Sequence, residues 1–109
     1  MPLITIHTSS EDQNDQLVSK VEEIKEFASK ELSCGPRKLD PSEFSVRIIT
    51  SDYSKSIADI EIVIIAHSYS ERVEKQDQIC LSFKRFVEKH CPPHTVYVWL
   101  QLSELGHSA

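Results

Sequence analysis

The chain opens Met1-Pro2-Leu3-Ile4-Thr5-Ile6-His7, with a proline directly behind the initiator methionine and an apolar, β-branched run directly behind the proline. Removal of Met1 would make Pro2 the N-terminus and its ring nitrogen a free secondary amine. At no other position can proline serve as a base. A free α-amino group titrates near roughly 7.7–8.0, and burial or nearby cations bring that value down. A base so tuned works well at neutral pH. With Met1 retained, the same nitrogen is an amide and the base is gone. Proline in second place also suits simple methionine trimming, so the chemistry depends on what the rest of the chain brings to it.

Few other residues carry chemistry. Arg47 lies between apolar neighbours in Ser45-Val46-Arg47-Ile48-Ile49-Thr50, where it reads either as a ligand for an anion or as a strand-surface arginine in an ion pair. Arg72 stands near a helix start, where the helix dipole disfavours a cation; a ligand and a solvated side chain both fit. Tyr97 and Trp99 share one face of a strand by parity, as core, interface or pocket wall. His7 and His67 end strands and read as structural or rim residues. His90, Cys91 and His94 are close in sequence, but two prolines intervene and no fourth ligand is evident, so no metal site is expected. Glu104 follows the last strand without a motif. Cys34, Cys80 and Cys91 are odd in number and include no C-x-x-C, which argues against a disulfide framework and fits a reducing cytoplasm.

The 109 residues suffice for one domain with one core. A formal net charge of −5 argues against nucleic acid or an anionic membrane as a partner. No apolar run approaches the ~18 residues of a membrane span, and the N-terminus has no signal-peptide pattern. Two glycines disfavour glycine-rich phosphate loops.

The elements that position these residues follow from spacing. Residues 3–7 form a strand. Ser9, Ser10, Glu11 and Asp12 start a helix carried by Leu17, Val21, Ile24, Ala28 and Leu32 and stopped at Cys34-Gly35-Pro36. Residues 44–50 form a second strand and residues 51–58 a polar connection. Ile60-Glu61-Ile62-Val63-Ile64-Ile65-Ala66 is the most apolar strand and is predicted to be central. Ser70 and Glu71 open a second helix carried by Ile79, Phe83, Phe86 and Val87 and stopped at Cys91-Pro92-Pro93. Residues 96–102 form the last strand. The order is β-α-β, linker, β-α-β, and the halves (about 2–52 and 59–105) read as a duplication of roughly 50 residues. The fold class is α+β: one four-stranded sheet with two helices on one face. The same linear order also suits a ferredoxin-like domain, in which the strands of each unit are separated by a strand from the other.

Three stretches, with the Met1-Pro2 start, resemble the tautomerase superfamily, whose members include 4-oxalocrotonate tautomerase, 5-carboxymethyl-2-hydroxymuconate isomerase and macrophage migration inhibitory factor. Residues 45–50 resemble the second strand of the short tautomerases. His67-Ser68-Tyr69-Ser70-Glu71-Arg72 resembles their strand-to-helix turn. Pro93-His94-Thr95-Val96-Tyr97-Val98-Trp99 is similar to the last strand of migration inhibitory factor. The resemblance implies Pro2 as the acid/base, Arg47 and Arg72 as binders of a substrate carboxylate, and Tyr97 and Trp99 at a neighbouring subunit's pocket. It further implies a homotrimer with sites between protomers and no cofactor. The chain departs from the pattern in its acidic first turn (Thr8-Ser9-Ser10-Glu11-Asp12), in Trp99 where the inhibitory factor has a small polar residue, and in lacking that protein's redox C-x-x-C. The expected function is cofactor-independent tautomerisation of a small unsaturated 2-oxo or 2-hydroxy acid. The alternatives are a non-catalytic binder or interaction protein on the same trimeric scaffold and an unrelated ferredoxin-like interaction domain.

Overall fold

The computed structural model describes residues 2–33, 38–50, 58–91 and 94–104. Met1, the Cys34-Gly35-Pro36 stop, residues 51–57 of the polar connection and Pro92-Pro93 lie outside the described residues. The elements run in the order β1 (Leu3–Thr8), α1 (Glu11–Val18), α2 (Val21–Leu32), a 3-10 turn (Pro41–Glu43), β2 (Ser45–Thr50), β3 (Ile60–His67), α3 (Ser70–Glu74), α4 (Gln76–His90) and β4 (Val96–Ser103).

Each helix expected from periodicity is interrupted once. After Val18 the Ser19 hydroxyl donates to the Gln16 carbonyl at 2.8 Å, and the Lys20 N–H reaches the Leu17 carbonyl three residues back. Side-chain bonding of this kind competes with the i to i−4 ladder. In the second half the Lys75 N–H reaches the Arg72 carbonyl, again three residues back. The starts follow capping chemistry. The Ser10 hydroxyl accepts from the Gln13 N–H, and Asp40 and Glu43 form a reciprocal capping box around the 3-10 turn.

The sheet order is β2-β1-β3-β4. β1 pairs parallel with β2 and β3 parallel with β4, while β1 and β3 meet antiparallel at the centre. The strands of each β-α-β unit are therefore direct neighbours. This excludes the ferredoxin-like arrangement and gives the duplicated one. The centre is shared by β3, the most apolar strand, and β1.

Alternation divides the sheet into two faces. Ile4, Ile6, Ile60, Ile62, Ile64, Val96 and Val98 turn to one side and pack with Leu17, Ile24, Ala28 and Leu32 of the first helix pair and Ile79, Phe83 and Val87 of the second. Phe27 stacks on Phe86 with ring centroids 4.2 Å apart and meets Phe83 edge-on, locking α2 beside α4. Helices this short are marginal alone, so burial of these side chains, at about 1.5–3 kcal/mol each, holds them. The opposite face is left open and carries exposed Leu3, Ile49, Tyr97 and Trp99. No described helix is long and apolar enough to cross a membrane.

Candidate active site

One end of the sheet gathers the N-termini of β1 and β2 and, because β3 runs antiparallel to β1, the C-termini of β3 and β4. Pro2 sits there. It is buried, and its carbonyl accepts from the Ser45 N–H at 3.2 Å, which ties the chain start to β2. A cavity of about 180 Å³ begins at the next residue, lined by Leu3, Ile4, Thr5, Ser45, Arg47 and Ile65. Parallel pairing places Thr5 opposite Arg47, and antiparallel pairing places Leu3 opposite Ile65. The cavity is thus a hollow on the open face, with apolar walls, two hydroxyls and one guanidinium. Its volume suits a small organic acid rather than a nucleotide-sized cofactor.

Arg47 is exposed on the edge strand β2. Among the described residues, no hydrogen bond or ion pair engages its guanidinium, so its donors are available to an anion in the cavity. A planar fork of this kind binds a carboxylate through two parallel hydrogen bonds.

Arg72 lies elsewhere. Its relative exposure is 3%. Its Nε donates to the Leu32 carbonyl at 2.9 Å and its Nη1 to the His67 carbonyl at 2.8 Å, while its guanidinium lies 4.9 Å from the centre of the Tyr69 ring. The side chain expected at a substrate carboxylate is turned inward, joining the last residue of α2 to the last residue of β3. It is not among the described walls of the cavity. The sequence argument that a cation near the first turn of a helix points outward to a ligand overlooked the other option, an inward turn to the C-terminal carbonyl of another helix, where a cation is favourable.

Tyr97 and Trp99 stand on the open face of β4, 42% and 38% exposed, with ring centroids 4.4 Å apart. Register places Trp99 in one row with Val63, Thr5 and Arg47. Three strand spacings, about 14 Å, separate Trp99 from Arg47. Within one chain the aromatic pair stands on β4, next to the β3 strand that supplies the Ile65 wall, and is not among the described residues that line the cavity. Tyr97 also borders a second hollow of about 200 Å³ with Cys80, Leu81, Lys84 and Val98.

The remaining sequence candidates do not converge. The His90 Nδ1 donates to the Phe86 carbonyl and its Nε2 faces Glu23 at 3.3 Å. The His94 Nδ1 meets the Gln13 amide at 3.2 Å. Cys91 is fully buried between them in sequence, and burial pushes its thiol up. Cys80 is likewise raised, first by burial and then by the charge of Asp77. Among the described residues no group of three or more His, Cys, Asp or Glu could hold a metal ion. Glu104 is exposed beyond the end of β4. Leu3, Thr5, Ser45 and Ile65 were not singled out from sequence. Strand parity was available to place them on one face, but the register that assembles them into a hollow was not.

No protein-family model matches the chain, and no curated protein matches it in sequence. Solved structures do match. A macrophage migration inhibitory factor-like protein from Entamoeba histolytica superimposes with a TM-score of 0.70 at 15% identity, covering 98% of this chain and 95% of its own. N1, a member of the cis-3-chloroacrylic acid dehalogenase family, gives 0.67 at 9% identity, covering 94% of this chain and 75% of its own. The Leishmania major protein MIF2 gives 0.60 at 12% identity, covering 99% and 93%. At these identities the likeness is one of fold, and it extends over nearly the whole chain. With its neighbouring parallel pairs, antiparallel centre and helices on one face, this chain has the fold of the tautomerase superfamily.

Proposed function

We propose that this chain is a cofactor-independent keto–enol tautomerase or isomerase of small unsaturated 2-oxo or 2-hydroxy acids, in which Pro2 becomes the acid/base once Met1 is removed. The observation that supports this best is the placement of Arg47. An arginine unengaged among the described residues lines a small cavity whose wall begins at the residue after Pro2. The shared fold is the second support.

The chemistry follows from the groups present. Arg47 receives the substrate carboxylate and sets the carbon chain along Thr5 and Leu3. The neutral imino nitrogen of Pro2 removes a proton from the carbon next to the carbonyl, giving an enolate or dienolate that takes a proton on oxygen from solvent where the enol is the product, and otherwise returns the proton at the same or a conjugated carbon. The guanidinium disfavours the protonated amine, lowering its pKa, and stabilises negative charge that grows in the transition state. A positioned base contributes about 10²–10⁴-fold in rate.

The proposal includes a homotrimer. Tyr97 and Trp99 are not among the described residues that line the cavity of their own chain. The edges of β2 and β4 offer unpaired ladder groups, and the open face leaves Leu3, Ile49, Tyr97 and Trp99 uncovered. Pairing of edges between copies would bring the aromatic pair of one protomer to the cavity of the next.

Two measurements test the reading. Intact-protein mass spectrometry of cell-derived material should show loss of Met1. Phenylenolpyruvate and 2-hydroxymuconate should then be ketonised by the wild type, and Pro2→Ala should lower the rate by at least about 10²-fold. Retention of Met1, or equal rates in the two proteins, would leave a small-acid binder without turnover as the function of this scaffold.

A further inference from the structure

The cavity on the open face has walls of two kinds. Parity sets Leu3 and Thr5 of β1, Ser45 and Arg47 of β2 and Ile65 of β3 on that face, and all five line the hollow. Register orders them in two rows: Ser45, Leu3 and Ile65 in one, Arg47 and Thr5 in the next. The β2 side therefore carries a guanidinium and a hydroxyl, with the Thr5 hydroxyl on the strand beside them. The far side, two strand spacings or about 10 Å from β2, ends in the hydrocarbon of Ile65, and Leu3, 39% exposed, lies between. Among the described residues no hydrogen bond engages the Thr5 or Ser45 hydroxyl. One half of the hollow can meet an acid group and a neighbouring oxygen; the other half offers only aliphatic carbon.

Arg47 is the one cation among the described walls. The second arginine expected at a substrate, Arg72, is 3% exposed and donates to the carbonyls of Leu32 and His67. Lys25 and Lys30 of α2 and Lys84, Arg85 and Lys89 of α4 stand on helices packed against the opposite face of the sheet. A ligand with one carboxylate finds its partner in Arg47. A second carboxylate comes to rest against Leu3 or Ile65, where it loses water and gains no donor. Taking an ionised carboxylate out of water without a partner is strongly unfavourable, whereas a hydrocarbon group in the same place gains from its own burial.

We infer that the cavity selects monocarboxylic 2-oxo and 2-hydroxy acids with an apolar substituent and rejects dicarboxylic ones. The inference rests on the tautomerase reading and narrows the substrate class of that same site. Arg47 takes the carboxylate through its planar fork. The hydroxyls of Thr5 and Ser45 meet the 2-oxygen, which lies one carbon away from the carboxylate. The substituent runs across Leu3 toward Ile65. Leu3 and Ile65 are the specificity-determining residues, because a cation at either position supplies the partner that a second carboxylate lacks.

The test is calorimetric titration of the full chain, Met1 loss verified, with phenylpyruvate, 5-methyl-2-oxohexanoate and 2-oxoglutarate. The last two share one shape, an isopropyl group in the first standing where the second has its distal carboxylate. The two monoacids should bind, and 2-oxoglutarate should bind at least about 10-fold more weakly than its isostere. Arg47→Ala should weaken both monoacids. Leu3→Arg, at an exposed position, should reverse the order of the isosteres, and Ile65→Arg is the second variant expected to do so. In turnover, kcat/KM for phenylenolpyruvate should exceed that for the diacid 2-hydroxymuconate by at least about 10-fold in wild type, and Leu3→Arg should close the gap. Equal or tighter binding of 2-oxoglutarate by wild type overturns the inference, as does failure of all three probes to bind, or an unchanged preference in both arginine variants when folded. If the diacid binds as well as its isostere while Pro2→Ala is inactive, the selectivity is wrong and the tautomerase reading stands. If the monoacid is preferred but Pro2→Ala turns over phenylenolpyruvate as fast as wild type, the tautomerase reading fails and the selectivity of the cavity stands.

Discussion

The Nη1 of Arg72 donates to the carbonyl of His67 across 2.8 Å, from a side chain that is 3% exposed. Through this bond and its companion to the Leu32 carbonyl, one residue of the second β-α-β unit closes the helix of the first against the strand end beside Pro2. A cation among carbonyls at two C-termini is well placed electrostatically. The resemblance suggested a ligand at this position; the geometry describes a clasp.

Arg72→Ala should therefore cost stability before it costs binding. It removes two hydrogen bonds from a buried guanidinium, one buried and one part-buried, each worth about 1.5–3 kcal/mol. A loss of about 3–4 kcal/mol in urea unfolding is expected. Arg72→Lys should recover only part of it, because a single ammonium cannot reproduce the fork. An unfolding midpoint unchanged in Arg72→Ala would contradict the clasp.

Arg47 should behave in the opposite way. It is exposed and unengaged among the described residues, so Arg47→Ala should leave stability within about 0.5 kcal/mol. Loss of a charge-assisted bond of roughly 1.5–3 kcal/mol should raise KM for an anionic substrate about 10–100-fold. Steady-state kinetics with a 2-oxo acid and with its amide separate the contributions: the amide should be turned over poorly by both proteins, with no difference between them.

Tyr97 and Trp99 supply a test of assembly. Light scattering on the wild type should give the mass of three chains. The double substitution Tyr97→Ala, Trp99→Ala removes two large apolar groups from the open face and should shift the species toward monomer, with activity falling in parallel. A wild-type monomer with full activity would show that the cavity is complete within one chain.

The thiols of Cys80 and Cys91 should be poor nucleophiles. Burial raises both, and the charge of Asp77 adds to the rise at Cys80. Peptide mapping after iodoacetamide treatment at neutral pH should find Cys91 unmodified until the chain unfolds, since it is fully buried. Cys80 should react slowly, accelerating only above the ordinary thiol value of 9.0.

Asp40 predicts a small acid-side dependence of stability. The N–H of Ser42, then its hydroxyl, donate to the Asp40 carboxylate and hold its pKa below 3.8. A depressed carboxylate contributes stability that is complete above the unfolded value and disappears as pH falls through the folded one. Asp40→Asn should lower the unfolding midpoint slightly at neutral pH and converge with the wild type in acid, so that its decline below about pH 4 is flatter. Identical acid limbs for the two proteins would argue that the capping box is not populated.

How far the sequence reaches can be seen at particular residues. Leu17, Ile24, Ala28 and Leu32, and Ile79, Phe83 and Val87, declare their buried faces because a helix repeats every 3.6 residues and apolar side chains leave water together. Ile60, Ile62, Ile64 and Ala66 do the same at a period of two. The helix interruptions at Ser19 and Lys75 escaped, because periodicity survives a single tight turn. Arg47 was legible through its motif and is found at the cavity. Arg72 was named for the right end of the molecule with its direction misjudged. His67 was read as a structural or rim residue.

Local pattern by itself determined the strands, the helices, their apolar faces and the place of proline at the start of β1, since each depends on neighbours close in sequence. Only the tertiary structure decided that β1 lies between β2 and β3, that Leu3, Thr5, Ser45, Arg47 and Ile65 enclose one hollow, and that Arg72 points inward. Strand order and register join residues some 40 to 60 positions apart. The free energy that selects them comes from close packing and from satisfying buried donors and acceptors. Neither exists until the distant segments meet.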